Sequence, residues 1–443
     1  MSVIAHLTNY LPGYHTHAGG AEWAAWRTFR ALAEEGLGTL VLTLPFDGPQ
    51  SPSDSSSRVP GLSVEPLPVV EAYFPENIRR YAEAVKWYSL QCDPLAMRTF
   101  EKLLDCRDIR AVHAYNAQFL TLGLLDAAKR RGLPTAMTIY DYWLFCPLTT
   151  LVDADNRLCR RRHGKSCLAC LPPLFRPIQS ILLKRRAAVF SQLSSLIDRF
   201  VVLSNASKRL LEDFHISAER ITVIPPPLNV QDFSPDATEI EPGLIIFAGW
   251  LQRRKGPDVL LRAFYILAGR QKNAHIEIHG MPVKWEDTVA ADVRRLAADP
   301  RFAGRITLFD KPDRAKLQKR IREAAIIVIP EQWENMSPIL LLEARLMGKL
   351  VVASRIGGIP EFVRDGEDGL LFRRDDPDDL ARVMELALTD PALSERARRL
   401  SPQFTRDQLA PEKISHSLAT FNRDLFTNPT SPIASFFRPP SPT

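Results

Sequence analysis

Short apolar runs alternate with longer segments of helical period along almost the whole chain. Val3 to Leu7 is a five-residue run, too short for a helix, and predicts a buried strand. A loop ending in Gly19-Gly20 follows, and Ala21 to about Glu35, rich in Ala and Trp, predicts a helix. Further strands are predicted at Leu40 to Leu44, Ile109 to His113, Thr135 to Ile139 and Arg199 to Leu203, with RITVIPPPLN (Arg220 to Asn229) continuing the scheme. Between the second and third lie a Ser-rich loop, Pro49 to Arg58, and a polar, mainly helical insertion, Asn77 to Leu104. The second half repeats the alternation, with strands at Leu244 to Ala248, Ile276 to His279, Ile306 to Phe309, Ile326 to Ile329 and Leu350 to Ala353. Strand alternating with helix predicts α/β architecture, with a doubly wound parallel sheet in each half. The Ser/Pro/Asp stretch Ser234 to Pro242 reads as the linker, and the Pro/Ser-rich end from Asn428 as a disordered tail.

Composition agrees with two domains. A chain of 443 residues with 45% hydrophobic positions is too long for one ordinary core and divides naturally into halves of about 200 residues. No apolar run reaches the roughly 20 residues that span a bilayer, and MSVIAHLTNY lacks the basic start and long apolar core of a signal peptide. A cytoplasmic protein is the expectation. The net charge of +6 is small for this length, so it is compatible with anionic partners, acidic lipid or nucleic acid, without selecting one.

The densest chemistry lies in EQWENMSPILLLEARLMGKLVVASRIGGIPEFVRDGEDGLLF, Glu331 to Phe372. Ser337 suits an N-cap, Pro338 the first helical position, and nothing breaks the run from Ile339 to Met347, so a helix is predicted to begin at Ser337. Its first N–H groups, near Ile339 and Leu340, would present the positive helix pole, which attracts phosphate. Glu343, six residues on, would sit about 9 Å along the axis, comparable with the reach from a nucleotide's distal phosphate to its ribose. A carboxylate there can accept from two vicinal hydroxyls. After the turn at Gly348, the pair Gly357-Gly358 before Ile359-Pro360-Glu361 lets backbone approach a ligand closely.

In this order, a glutamate, a helix start, a second glutamate and a GGxPE turn, the segment resembles the donor-binding signature of the retaining glycosyltransferases of family 4. The resemblance covers about forty residues here, and the order of elements looks like that family over nearly the whole chain. It implies the GT-B fold, two Rossmann-like lobes facing across a cleft: an acceptor lobe, 1–235, with a cysteine-rich insertion at 146–170; a nucleotide-sugar lobe, 236–405; a helical segment, 406–427, packing back on the first lobe; and a tail, 428–443. The implied donor contacts are Asn335, Ser337, Ile339, Glu343, Gly357 and Gly358, with Glu334 at the reacting sugar. The family usually places seven residues between its two glutamates, whereas Glu334 and Glu343 have eight between them, and Asn335 to Pro338 replaces the usual glycine-bearing turn. A local bulge before the helix accounts for the extra residue.

Three other segments take their meaning from the same resemblance. GWLQRRKG, Gly249 to Gly256, follows the first strand of the second lobe, where the family reads GRLxxxKG and its Arg and Lys neutralise the departing diphosphate. Lys255 matches; Trp250 stands where the Arg is expected, so Arg253 or Arg254 would compensate. Gly19-Gly20-Ala21-Glu22 is similar to the glycine loop that closes over the transferred sugar, with His15 and His17 as neighbouring spectators. At Tyr140-Asp141 many relatives carry a His followed by Asp. Tyrosine is a poor base at neutral pH, so the implied mechanism is front-face substitution, with polar contacts from Tyr140 and Asp141 and no strong enzyme base.

Cys146, Cys159, Cys167 and Cys170, with His163 between, have the spacing of a zinc or iron-sulfur loop, and free cytosolic thiols are the competing reading. Cys92 and Cys106 read as ordinary reduced residues. Leu171 to Phe190 mixes Leu, Ile and Phe with Arg176, Lys184, Arg185 and Arg186, which fits either an anionic membrane surface or a helix packed on its own domain. The resulting expectation is a nucleotide-sugar-dependent retaining glycosyltransferase without a catalytic metal, acting on a glycan, lipid-linked or small-molecule acceptor. A catalytically silent GT-B relative that binds a sugar nucleotide or partner is the alternative. A metal-loop nucleic-acid-binding protein is the remote one, since it explains neither GGIPE nor Glu343.

Overall fold

The computed structural model describes residues 2–16, 18–48, 59–89, 93–120, 122–160, 164–171, 176–282, 287–310 and 313–427. The Ser-rich loop 49–58, His17, Cys92, His163 and the tail from Asn428 lie outside the described residues. Two compact units appear: one comprises Met1–Leu203, Lys208–Leu228 and the final helix, Pro411–Thr427; the other comprises Ser204–Ser207 and Asn229–Ala410.

The first unit holds a seven-stranded parallel sheet made of β1 (Val3–Leu7), β2 (Gly38–Thr43), β3 (Leu62–Pro66), β4 (Ile109–Ala114), β5 (Thr135–Thr138), β6 (Arg199–Val202) and β7 (Ile221–Val223). Its spatial order is β3-β2-β1-β4-β5-β6-β7, so the winding reverses between β1 and β4. β2 is buried at every position, and β1 and β4 at nearly every one, as continuous apolar runs require when helices cover both faces. The second unit holds β8 (Glu241–Ala248), β9 (His275–His279), β10 (Ile306–Phe309), β11 (Ala324–Ile329), β12 (Val351–Ser354) and β13 (Leu370–Phe372), ordered β10-β9-β8-β11-β12-β13 and reversing between β8 and β11. Ile245, Phe247, Ile326, Val328 and Val352 form the centre of its core with Leu260, Phe264 and Leu380 from the covering helices.

The reversal points matter because adjacent loops leave them in opposite directions and open a crevice beyond the carboxyl ends of the strands, where ligands of such sheets bind. Two departures from the sequence pattern have simple causes. The polar insertion is two helices, Glu76–Ser89 and Pro94–Cys106, because buried Asp93 turns its carboxylate onto the N–H groups of Leu95 and Ala96 and starts a new helix ahead of Pro94. β3 and β13 escape the pattern: β3 is only half buried, and β13 is three residues long. Among the described residues no helix is long and apolar enough to cross a membrane.

Candidate functional site

In the second unit the loops after β8, β11 and β12 meet at the sheet's reversal point. The chain leaves β8 through Gly249 into a short turn, Arg253–Lys255, which ends at Gly256 in the left-handed conformation (φ 67°). A side chain at Gly256 would run into the carbonyl oxygen of Pro330, at the end of β11. This close approach lets Gln332 N–H donate to the Arg254 carbonyl at 2.7 Å, locking one loop on the other.

Lys255 Nζ lies 2.6 Å from Glu331 Oε1, and the other oxygen of that carboxylate accepts from Trp333 Nε1 at 2.5 Å. Arg254 sits over the face of Trp333, 5.1 Å from the ring centre, with its Nε donating to Gln252 Oε1 at 2.8 Å. A lysine and an arginine are thus fixed by a buried carboxylate and an indole at the point of sheet reversal. Glu331 and Trp333 were not among the residues expected to matter. The available signal was position: they follow β11 directly, on the loop that faces the one bearing Lys255.

The structure corrects the predicted helix start. The helix is Ile339–Leu346, with Pro338 as its N-cap at φ −63°, ψ 119°. Ser337 caps nothing: its Oγ is buried and has no partner in the structure, while its N–H donates to Asn335 Oδ1 at 3.2 Å. Proline fixes φ but leaves ψ free to be extended, and buried Asn335 makes the turn in place of the serine. Glu343 is therefore four residues from the first helical position, about 6 Å along the axis rather than 9. It is 17% exposed, with Arg314 Nη2 3.9 Å away.

Asn335 also receives Gly358 N–H on its carbonyl at 2.8 Å, which ties the GGIPE turn to this loop. Gly357 has φ 57°, and a side chain there would stand 2.8 Å from the Asn335 nitrogen; one at Gly358 would meet the Met336 carbonyl. The glycine pair is thus required by backbone packed on backbone. Glu334 is half-buried on the same loop, and the carboxylate paired with Lys255 is that of Glu331.

In the first unit the loops after β1, β4 and β5 also converge at a reversal point. Gly19 is the N-cap of the helix Gly20–Glu34, and its N–H donates to Glu22 Oε2 at 2.8 Å. Glu22 Oε1 accepts from Asn116 Nδ2 at 2.8 Å. Asn9 Nδ2 donates to Gln118 Oε1 at 2.5 Å, and Gln118 Nε2 to Asp141 Oδ2 at 3.1 Å, while Asp141 Oδ1 accepts from Trp143 N–H. Tyr115, Asn116, Gln118, Tyr140, Asp141 and Trp143 line a small recess. Tyr140 is hydrogen-bonded to Thr28 and stacked on Tyr115, and burial raises its pKa above the ordinary tyrosine value, so its phenol stays protonated at neutral pH. His15 is a structural residue: Leu11 N–H donates to its Nδ1, and its Nε2 lies 3.2 Å from the Leu44 carbonyl.

The cysteine loop follows this recess. Cys146, Cys159, Cys167 and Cys170 are free thiols. Burial pushes the Cys146 thiol up to about 11 and raises that of Cys170, near which Cys159, Cys167 and Asp153 stand. Among the described residues no group of three or more His, Cys, Asp or Glu side chains is placed to hold an ion, and His163 lies outside those residues.

Residues 18–232 match the family described as Glycosyltransferase Family 4, and residues 242–390 the family described as Glycosyl transferases group 1. A D-inositol 3-phosphate glycosyltransferase of Mycolicibacterium gilvum is 30% identical over 211 residues, 45% of this chain and 47% of that protein. The matched stretch thus spans about half the length of that curated relative. Sucrose-phosphate synthase from Thermosynechococcus elongatus shares the fold with a TM-score of 0.71 at 17% identity, over 96% of this chain and 100% of that one. The Anabaena protein HepE in complex with UDP does so at 0.67 and 15%, over 95% of this chain and 100% of that one. With two parallel doubly wound sheets, a cation pair at the reversal point of the second and matches across both halves, the chain belongs to the family 4, group 1 glycosyltransferases of GT-B fold.

Proposed function

We propose that the chain transfers a sugar from a nucleoside-diphosphate donor to a hydroxyl of a glycan, lipid-linked or small-molecule acceptor, with retention at the anomeric carbon. The observation that carries this reading is the Lys255–Glu331–Trp333–Arg254 cluster beside the helix beginning at Ile339. Lys255 and Arg254 supply the charge that a diphosphate needs, the first helical N–H groups supply donors, and Glu343, one turn further on, reaches the ribose hydroxyls. UDP, which the solved HepE complex contains, is the nucleotide part of the donor to try first.

In the proposed step the bond between the sugar's anomeric carbon and the diphosphate oxygen breaks, with its electron pair leaving on the diphosphate. The acceptor oxygen bonds to that carbon on the same face, and its proton passes to the departing phosphate oxygen. Stabilising the leaving group's charge is then the protein's main task. The protonated phenol of Tyr140 supports this reading, because it offers no base to compete for the proton. Within the second unit Glu334 is assigned to the sugar and Asn335, Ser337, Gly357 and Gly358 to the diphosphate side; within the first, Asp141, Gly19 and Gly20 are assigned to hydroxyl contacts. A catalytically silent donor-binding relative is the second reading, favoured by Tyr140 and Trp250 at positions where the family carries His and Arg.

Thermal unfolding of the full chain across a panel of sugar nucleotides tests donor binding. A true donor at 100 times its dissociation constant stabilises the fold by about 2.7 kcal/mol, and Glu343→Ala removes that shift. Proton NMR of the product then reads the anomeric configuration. No shift with any sugar nucleotide overturns the assignment; a shift without turnover establishes the silent relative.

A further inference from the structure

We infer that the outer face of two packed helices in the first unit, Glu76–Ser89 and Arg176–Phe190, docks on an anionic lipid surface. The two helices are in contact, and buried Arg186 joins them, donating to the Trp87 carbonyl at 2.6 Å and to the Trp143 carbonyl. The basic run Lys184-Arg185-Arg186 is thereby split: its third residue holds the helix pair together, while the first two face outward.

On the second helix Leu182, Leu183 and Val189 point inward, whereas Ile178 and Ile181 are 53% and 57% exposed. They lie three residues apart, on one face with Lys184 and Arg185 one turn further along. On the first helix Ile78, Tyr81 and Val85 are exposed at the same helical spacing, continuing from Phe74 and from Tyr73, which is 73% exposed in the preceding turn. Arg79 and Arg80 stand among them, and Arg80 stacks over the Tyr81 ring at 4.9 Å. Among the described residues Lys184 and Arg185 have no ion-pair partner.

Large aliphatic and aromatic side chains interleaved with arginine and lysine fit the boundary between acyl chains and anionic headgroups. The rings and branched chains enter the boundary while the cations reach the phosphates. The charge argues against a second copy of this chain as the occupant. A two-fold contact through this face would bring Arg79, Arg80, Lys184 and Arg185 against themselves, with exposed Glu76 and partly exposed Glu83 as the acids on these helices. None of these residues takes part in the proposed donor site, so this inference and that reading can fail separately.

The test is co-sedimentation of the full chain with vesicles of phosphatidylcholine alone or mixed with phosphatidylglycerol, at low and high salt. The chain should pellet with the mixed vesicles, less at high salt. Replacing Arg79, Arg80, Lys184 and Arg185 together with glutamine should weaken that binding roughly a hundredfold or more. The double change Ile178→Asp and Ile181→Asp should abolish it without altering thermal unfolding, since both positions are exposed. Failure of the unaltered chain to pellet with mixed vesicles overturns the inference. So does binding that both sets of substitutions leave intact, and so does light scattering that shows a dimer dissolved by the aspartates, which would make this face a protein interface.

Discussion

The two units carry the same winding and reverse it in the same way, yet they fill the crevice at the reversal point with opposite chemistry. In the second unit the crevice holds cations: Lys255 and Arg254, braced by Glu331 and Trp333. In the first it holds neutral amides, two carboxylates and a stack of rings, with Asn116 linked to Glu22 and Asn9 and Gln118 to Asp141. The first arrangement suits a diphosphate; the second suits hydroxyls, each of which can donate to an acid and accept from an amide. A fold that supplies two equivalent crevices can therefore divide labour through loop residues alone.

The sharpest way to break this comparison is to force apart the loops that build the cationic crevice. Gly358→Val places a branched side chain against the Met336 carbonyl where there is no room, and a backbone must move. The expected cost is about 4 kcal/mol or more, read by urea unfolding, together with loss of the shift on donor addition. If Gly358→Val unfolds like the unaltered chain, the glycine pair does not hold the loops together.

Lys255→Ala attacks the charge instead of the frame. It removes a cation from the proposed leaving group and leaves Glu331 buried with only Trp333, so transfer should fall about 10²- to 10³-fold while the fold survives. Glu331→Gln is the informative companion. If Glu331 only positions the ammonium, kcat should fall less than in Lys255→Ala; an equal fall would place the carboxylate itself in the chemistry.

How much of each crevice could be read in the sequence follows from the same contrast. The cationic one is built from two short segments, 249–256 and 331–361, so its residues appear as compact motifs. The amide-and-carboxylate one draws Asn9, Glu22, Asn116 and Asp141 from three separate loops and a helix, and only the sheet order brings them together. Gly19-Gly20 and Tyr140-Asp141 stand out there through the family resemblance; Gln118, whose amide donates to Asp141, does not. Strands were legible where they are fully buried, as Val3–Leu7 is, and illegible at the sheet edges, where Leu62–Pro66 is half-covered. Even in the compact segment the helix start was misread, because the sequence favours Ser337 as cap while burial of Asn335 gives that turn to the asparagine.

The next comparison is one of pH. His113, at the end of β4, is fully buried, and burial lowers its pKa from 6.5 to about 4; neighbouring His6 on β1 is lowered well below its ordinary value for the same reason, with His113 adding to it. A histidine that is harder to protonate in the folded state favours folding above pH 6.5, and that advantage is lost as pH falls toward 4, where the unfolded chain takes up the proton first. The loss from His113 alone is of the order of 3 kcal/mol. In the second unit His279 is also lowered by burial, but Glu277, 2.9 Å away, acts in the opposite direction. Hydrogen exchange at pH 5 against pH 7.5, corrected for intrinsic rates, should therefore show β1 and β4 losing protection more than β8 and β11. Equal loss in both sheets would show that these buried rings do not set the acid sensitivity.

The smallest expected effect is the one that decides the mechanism. Tyr140 occupies the position where many relatives carry a histidine, and its phenol, held protonated by burial and bonded to Thr28, has no capacity to take a proton at neutral pH. Tyr140→Phe removes the hydroxyl and keeps the ring stacked on Tyr115, so stability should change by about 1 kcal/mol or less. If the departing diphosphate takes the acceptor's proton, kcat should fall less than about tenfold. A general base contributes typically 10²- to 10⁴-fold, so a loss in that range would mean that the first unit's crevice does more than orient hydroxyls. The pH profile separates the two further: with no protein base at this position, the kcat profiles of the phenylalanine variant and the unaltered chain should have the same shape from pH 6 to about 9, differing only in height.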